Sequence, residues 1–194
     1  MLSNIAVIAV LILIITTTVL LLMNQWRWMS IAWAFQVFSV FWLTSLSWSI
    51  SESIVKLLGG WITIAIVSST HPDIMLENEK ESISTGFGFR FLIAGMIWLM
   101  SFSISPVIQT LIQARIEIIW GGMLLFASGL LQVGLAKNYI RTIIGLITFI
   151  SGFEVMYATI ESSVLVSGLL VFITIGLSWL TIYFNTVPGD SDIL

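Results

Sequence analysis

Residues 137–161, KNYIRTIIGLITFISGFEVMYATIE, decide the fold. Between Arg141 and Glu154 the stretch carries no charge, and its apolar run is interrupted only by threonine, serine and glycine. A helix rising 1.5 Å per residue carries Glu154 about 20 Å beyond Arg141, inside a hydrocarbon layer about 30 Å thick. An acid there is costly against lipid and belongs in a bundle interior or a water-filled cavity, which makes an ion or proton pathway the default expectation. Glu161 follows seven residues later and is predicted to share the face of Glu154 within about 20°. Near the outer boundary, it is expected to be hydrated. Gly145 and Gly152 fall on nearly the opposite face, so one side is predicted to pack closely and the other to line a polar region. Two readings of Glu154 stay open: a member of an ion path or polar network, or a structural acid, protonated or hydrogen-bonded, that locks helices together.

Working outward, the whole chain has the same character. Its 194 residues are 58% hydrophobic and 9% charged, with a mean hydropathy of +1.09, more apolar surface than a soluble domain of this size buries. The expectation is an all-α polytopic integral membrane protein whose first partner is the lipid bilayer. Seven spans are predicted, at about 3–23, 28–50, 53–70, 89–105, 116–136, 139–160 and 162–184. The third and fourth are short and rich in Gly or Ser, and are expected to be tilted or broken. Residues 1–70 form a three-helix front part and 89–184 a four-helix back part. The segment 71–88 between them, with Pro72, Asp73, Glu77, Glu79, Lys80 and Glu81, reads as an acidic solvated loop, and 185–194 as a short polar tail. A shorter break is predicted from Pro106 to Arg115.

The first span has no basic n-region and no small-residue cleavage site after it, so it reads as retained. With the N-terminus outside, Arg27, Lys80, Arg90, Lys137 and Arg141 fall on the cytoplasmic side, which places the C-terminus in the cytoplasm. Trp26, Trp28, Trp48, Trp120 and Trp179 lie near span ends and read as interfacial anchors, whereas Trp33, Trp42 and Trp98 lie deeper and read as packing residues.

Several function classes drop out. Cysteine is absent, which removes disulfides, thiol catalysis and iron–sulfur ligation by this chain. The net charge of −3 comes mainly from the acidic loop and tail, leaving no basic patch for nucleic acid. His71 is the single histidine, and the acids of the loop lack the spacing of a calcium-binding loop. No phosphate-binding glycine loop, nucleophile elbow or metalloprotease motif occurs, so no cofactor, no metal and no bond-making catalysis are expected from this chain alone.

The remaining polar candidates lie in the front part. In Ser51-Glu52-Ser53-Ile54-Val55-Lys56 an acid and a base stand at i and i+4, and their pairing would ease Lys56 into the membrane. Lys56 reads either as a snorkelling side chain or as a buried cation acting on a neighbouring carboxylate. Gln36 requires a partner across a helix interface, as helix glue or as a group that orients a water chain.

Lys137-Asn138-Tyr139-Ile140-Arg141-Thr142-Ile143-Ile144-Gly145 resembles the basic-Asn-x-x-Arg-x-x-x-Gly turn of hydrogenase-4 component E. The back half of that family is similar to the small K-type membrane subunit of respiratory complex I and the C-type subunit of Mrp antiporters. Arg27 preceding Gln36, and Lys56 in the next span, resemble the family's front half. The specific part of the resemblance covers residues 137–152. It implies an all-helical subunit, its back three helices K-type-like, in a prokaryotic cytoplasmic membrane beside antiporter-like and other membrane-arm subunits. A helix acid there joins a lateral chain of charges coupling redox chemistry to ion movement. The sequence departs from the pattern: Ile147 and Ile150 stand where the K-type and component E acids are found. Both lie within about 40° of the Glu154 face. The second K-type acid has no counterpart between Ser163 and Tyr183.

The leading expectation is a subunit of a complex-I-like, hydrogenase-4-like or Mrp-like assembly that takes part in proton or cation translocation. Glu154 is its principal carboxylate, Lys56, Glu52 and Glu161 are relay candidates, and Gln36, Arg141 and Lys137 are polar-network candidates. The alternatives are a non-conducting structural or assembly subunit, or an independent small transporter.

Overall fold

The structure, a computed structural model, describes residues 2–23, 25–69, 86–136 and 138–186. Among them are seven helices and no strand: α1 Leu2–Leu22, α2 Trp26–Thr44, α3 Ile50–Ser69, α4 Phe87–Ile112, α5 Ile116–Leu135, α6 Tyr139–Tyr157 and α7 Val164–Thr186. Six of them, all but α2, are long and apolar enough to cross a membrane, which fits an integral membrane protein. The predicted acidic loop, the polar tail and Lys137 lie outside the described residues, except for 86–88 and 185–186, which belong to the start of α4 and the end of α7.

The exception is informative. α2 carries Arg27, Gln36, Ser30, Ser39 and Thr44 among its apolar residues, and it packs against α1, α3, α5 and α6. Its polar residues Gln36, Ser39 and Thr44 are buried against those helices, whereas Trp28, Ile31, Phe35 and Phe38 form an exposed apolar face, so the helix that packs against four others carries its polar groups on the protein side. Trp33 of α2 is almost fully buried beside Val37, Ile143, Ile144 and Ile147, which makes it a packing residue, as expected. A second apolar cluster gathers Leu13, Val40, Leu43, Ile118, Leu125 and Val155. Along α6, Ile147 belongs to the first cluster and Val155 to the second, with Thr148 and Ser151 between them.

Serine and threonine are tolerated here because most satisfy themselves. Thr17, Thr44, Ser105, Thr174 and Ser178 each donate to a carbonyl three or four residues earlier in their own helix.

The third and fourth spans are continuous helices, not broken ones. α3 begins at Ile50, which the sequence reading assigned to the second span, because α2 stops at Thr44 and Ser45 to Ser49 make the turn. α4 runs through Pro106 to Ile112, so no break occurs at the proline. A proline removes one intrahelical hydrogen bond and crowds the carbonyl four residues earlier, and a membrane helix with no competing water continues past that loss. α4 ends instead at Gln113, left-handed at φ 54°, whose N–H bonds to the Gln109 carbonyl. Glycine is the residue suited to that backbone. Gln113→Gly is expected to leave the fold intact and raise stability by up to about 1 kcal/mol, read by reversible unfolding in mixed micelles.

The tightest helix contact joins α5 and α6. A Cβ placed on Gly129 would meet the backbone of Phe149, one on Gly152 the backbone of Phe126, and one on Gly145 the Val133 nitrogen at 2.9 Å. The predicted glycine face of α6 is therefore its face toward α5. The rings of Phe126 and Phe149 pack beside this seam, tilted by 36° with centroids 4.3 Å apart.

Candidate functional site

Lys56 of α3 and Glu154 of α6 form an ion pair, with 5% and 0% of their side chains exposed. Each is placed by its helix end. Ser49 starts α3: its Oγ accepts the Glu52 N–H at 3.4 Å and its carbonyl accepts the Ser53 N–H at 3.1 Å. Lys56 then lies about 9 Å along the helix from Ile50. α6 ends at Tyr157, where the Ala158 N–H bonds back to the Glu154 carbonyl at 2.9 Å. Glu154 thus occupies the last turn of its helix. It is hidden by neighbouring helices and lies close to one end of the bundle, not midway along a longer span.

That position sharpens the electrostatics. A carboxylate at a helix C-terminus faces the negative end of the macrodipole, so a cation is needed there. α3 packs against α2 and α7, so Lys56 reaches α6 through the space these helices leave. A cavity of about 10 Å³ at this place is lined by Val37 of α2, Lys56 and Thr63 of α3, Ile147 and Ser151 of α6, and Thr174 of α7. That volume is at the lower limit for a single water. Neither Glu154 oxygen accepts a hydrogen bond from another described residue, and Thr63 Oγ1 likewise has none. A carboxylate has about four lone-pair sites, so Lys56 supplies nearly all of the compensation Glu154 receives.

Gln36 lies one helix over. Its Nε2 donates to Thr148 Oγ1 at 3.3 Å, joining α2 to α6, while its Oε1 has no donor among the described residues. The expectation of a partner across a helix interface is met by a hydroxyl on the helix that carries Glu154.

Other candidates fall elsewhere. Glu52 is partly exposed and is not the partner of Lys56, which turns inward to α6 instead. Glu161 does not share the Glu154 face, because α6 stops before reaching it. It is exposed, its carboxylate accepting Tyr157 OH at 3.2 Å and its carbonyl accepting Trp48 Nε1 at 3.1 Å. Trp48 is 4% exposed and ties the α2–α3 turn to the α6–α7 turn, so it is a latch between turns and not a lipid anchor. Arg141, about 20 Å from Glu154 along α6, donates from Nη2 to the Met23 carbonyl at 2.6 Å. Lys137 lies outside the described residues.

Sequence reasoning passed over Thr63 and Ser151. Both were within reach of it: Thr63 is seven residues after Lys56 and Ser151 three before Glu154, so each shares a helix face with its charged neighbour. Among the described residues no three His, Cys, Asp or Glu side chains stand together as metal ligands. No protein-family model, curated protein or solved structure matches this chain.

Proposed function

We propose that this chain is a membrane subunit of a complex-I-like, hydrogenase-4-like or Mrp-like assembly, in which the Lys56–Glu154 pair takes part in proton or cation translocation. The observation that carries the reading is a buried ion pair whose carboxylate accepts no supporting hydrogen bond from any other described residue. Replacing a buried pair with apolar side chains is often neutral or stabilising by about 1–4 kcal/mol, so stability alone does not account for it. Its chemistry does. A proton passing from the Lys56 ammonium to the Glu154 carboxylate turns two charges into two neutral groups. In a dry site the balance between those states answers to nearby charge, so an ion arriving in a neighbouring subunit would shift it. The resemblance adds support: Ile147, which stands where the K-type acid is found, lines the same cavity as Lys56. The membrane would be a prokaryotic cytoplasmic one, with the N-terminus outside and the C-terminus in the cytoplasm.

The test is ion movement by the assembly in native membranes. Lys56→Gln/Glu154→Gln, which leaves no unpaired charge, is expected to abolish it while the chain still copurifies with large antiporter-like subunits. Glu154→Gln alone should abolish it as well, with a lower yield of assembled chain because Lys56 is left unpaired. Unchanged ion movement in the double variant would defeat the proposal. It would favour a second reading, a non-conducting structural subunit, which draws support from the narrowness of the cavity at about 10 Å³.

A further inference from the structure

α1, α4 and α5, none of which lines the Lys56 cavity, enclose an apolar groove of their own. Two cavities of about 580 and 320 Å³ share Val10, Ile14, Phe102 and Trp120 in their walls. The larger extends to Leu92 and Gly95 of α4, and the smaller to Pro106 of α4 and Glu117 of α5. Both fall within the roughly 300–1,000 Å³ of a small-molecule site. Side-chain size explains the opening. The α5–α6 seam closes on glycines, whereas α4 meets α5 through the rings of Phe102 and Trp120, centroids 4.8 Å apart, which keep the two helices apart. Gly95 leaves further room, since nothing lies within 4 Å of a Cβ at that position.

Length and charge decide what fits. From Pro106 to Leu92 the groove follows α4 for about 21 Å. One leaflet of hydrocarbon is about 15 Å deep, so the groove has the reach of a single acyl chain lying along the helix. α5 has 20 residues, enough to cross the hydrocarbon once, which puts Glu117 in its first turn at the boundary. Among the described residues, Glu117 is the one charged side chain in either wall. Arg115 stands two residues earlier, its Nε 4.0 Å from Glu117 Oε2, with their side chains 42% and 19% exposed. A pair so long and so wet is weak, and both groups can take other charges. The mouth thus offers one cation and one anion side by side, next to an apolar slot. A zwitterionic headgroup complements it, with phosphate on Arg115 and an ammonium on Glu117. A primary ammonium has three N–H donors for the carboxylate, and a quaternary one has none.

We propose that this groove holds a phosphatidylethanolamine molecule, its ammonium on Glu117, its phosphate on Arg115 and one acyl chain between α1 and α4. The site shares no residue with the Lys56–Glu154 pair, so it stands whatever that pair does.

The full chain in nanodiscs of equal parts phosphatidylethanolamine, phosphatidylcholine and phosphatidylglycerol, released and read by native mass spectrometry, tests this. Phosphatidylethanolamine should be retained above both of the others. Glu117→Gln should cut its retention about fivefold, to the level of phosphatidylcholine, as the loss of a solvent-screened charge pair does. Gly95→Leu, which sends a side chain into the groove from a position with room for it, should cut retention at least about tenfold, the effect of displacing about two methylenes of the acyl chain. Gly168→Leu on α7, equally open and lining neither cavity, should change nothing. Equal retention of the three lipids, a preference for phosphatidylglycerol, or unchanged retention of phosphatidylethanolamine in either Glu117→Gln or Gly95→Leu would overturn the proposal. So would loss of a copurifying membrane protein from Gly95→Leu with lipid retention unchanged, since a partner's helix would then fill the groove.

Discussion

Lys56→Met is expected to destabilise the protein by about 3–5 kcal/mol, the usual cost of leaving one member of a buried ion pair without its partner. The size follows from the supply of hydrogen bonds: Glu154 has no other described donor and sits at the unfavourable end of its helix, so nothing nearby replaces the ammonium. Restoring neutrality should restore most of the loss. Lys56→Met/Glu154→Leu is expected to come back to within about 1 kcal/mol of the parent or to exceed it, as apolar replacements of buried pairs often do. Reversible unfolding in mixed micelles of all four proteins gives the coupling energy directly. Additive effects would mean that the two side chains do not meet. A single-variant cost below about 1 kcal/mol would mean that the carboxylate is hydrated or already neutral, because that is the range of solvent-screened pairs.

Gly129→Val and Gly152→Val should be at least as damaging, by a different route. Each added side chain would run into main-chain atoms of the opposite helix, the backbone of Phe149 or of Phe126. A flexible side chain can rotate away from such an intrusion, whereas a helix backbone can only move as a whole. The cost should therefore exceed the roughly 1–3 kcal/mol typical of overpacking, and the expected outcome is loss of folded protein in a detergent-solubilised yield measurement. Gly176→Ala is the matched control. Nothing lies within 4 Å of a Cβ at that position, so the change should be neutral or stabilising by up to about 1 kcal/mol through helix propensity. If the two seam variants fold as well as Gly176→Ala, the α5–α6 contact is not as close as described.

Much of this molecule was legible in its residues. Solvent selects composition, and a chain this apolar has one environment in which its backbone groups are satisfied, as helices within a bilayer. The glycine face of α6 was legible as well, because a period of seven puts Gly145 and Gly152 on one side of any helix. Helix ends were less so. Pro106 carries a strong local signal for a break, yet the lipid setting sustains the helix to Gln113, whose left-handed backbone has no signature in a glutamine.

The pairing of charges belonged to tertiary structure alone. Glu52 is the nearest acid to Lys56 in sequence, and local spacing favours it, but a surface pair at i and i+4 is worth only about 0.2–0.5 kcal/mol. Burial outweighs that amount. Once α3 packs between α2 and α7, the Lys56 side chain points into protein, and the acid available there is the one that α6 brings from the far part of the chain. Composition and periodicity determine that there will be helices in a membrane and which faces are small or polar. Which polar group meets which depends on how the helices are arranged around one another, because a contact between distant segments leaves no trace in the local pattern of either one.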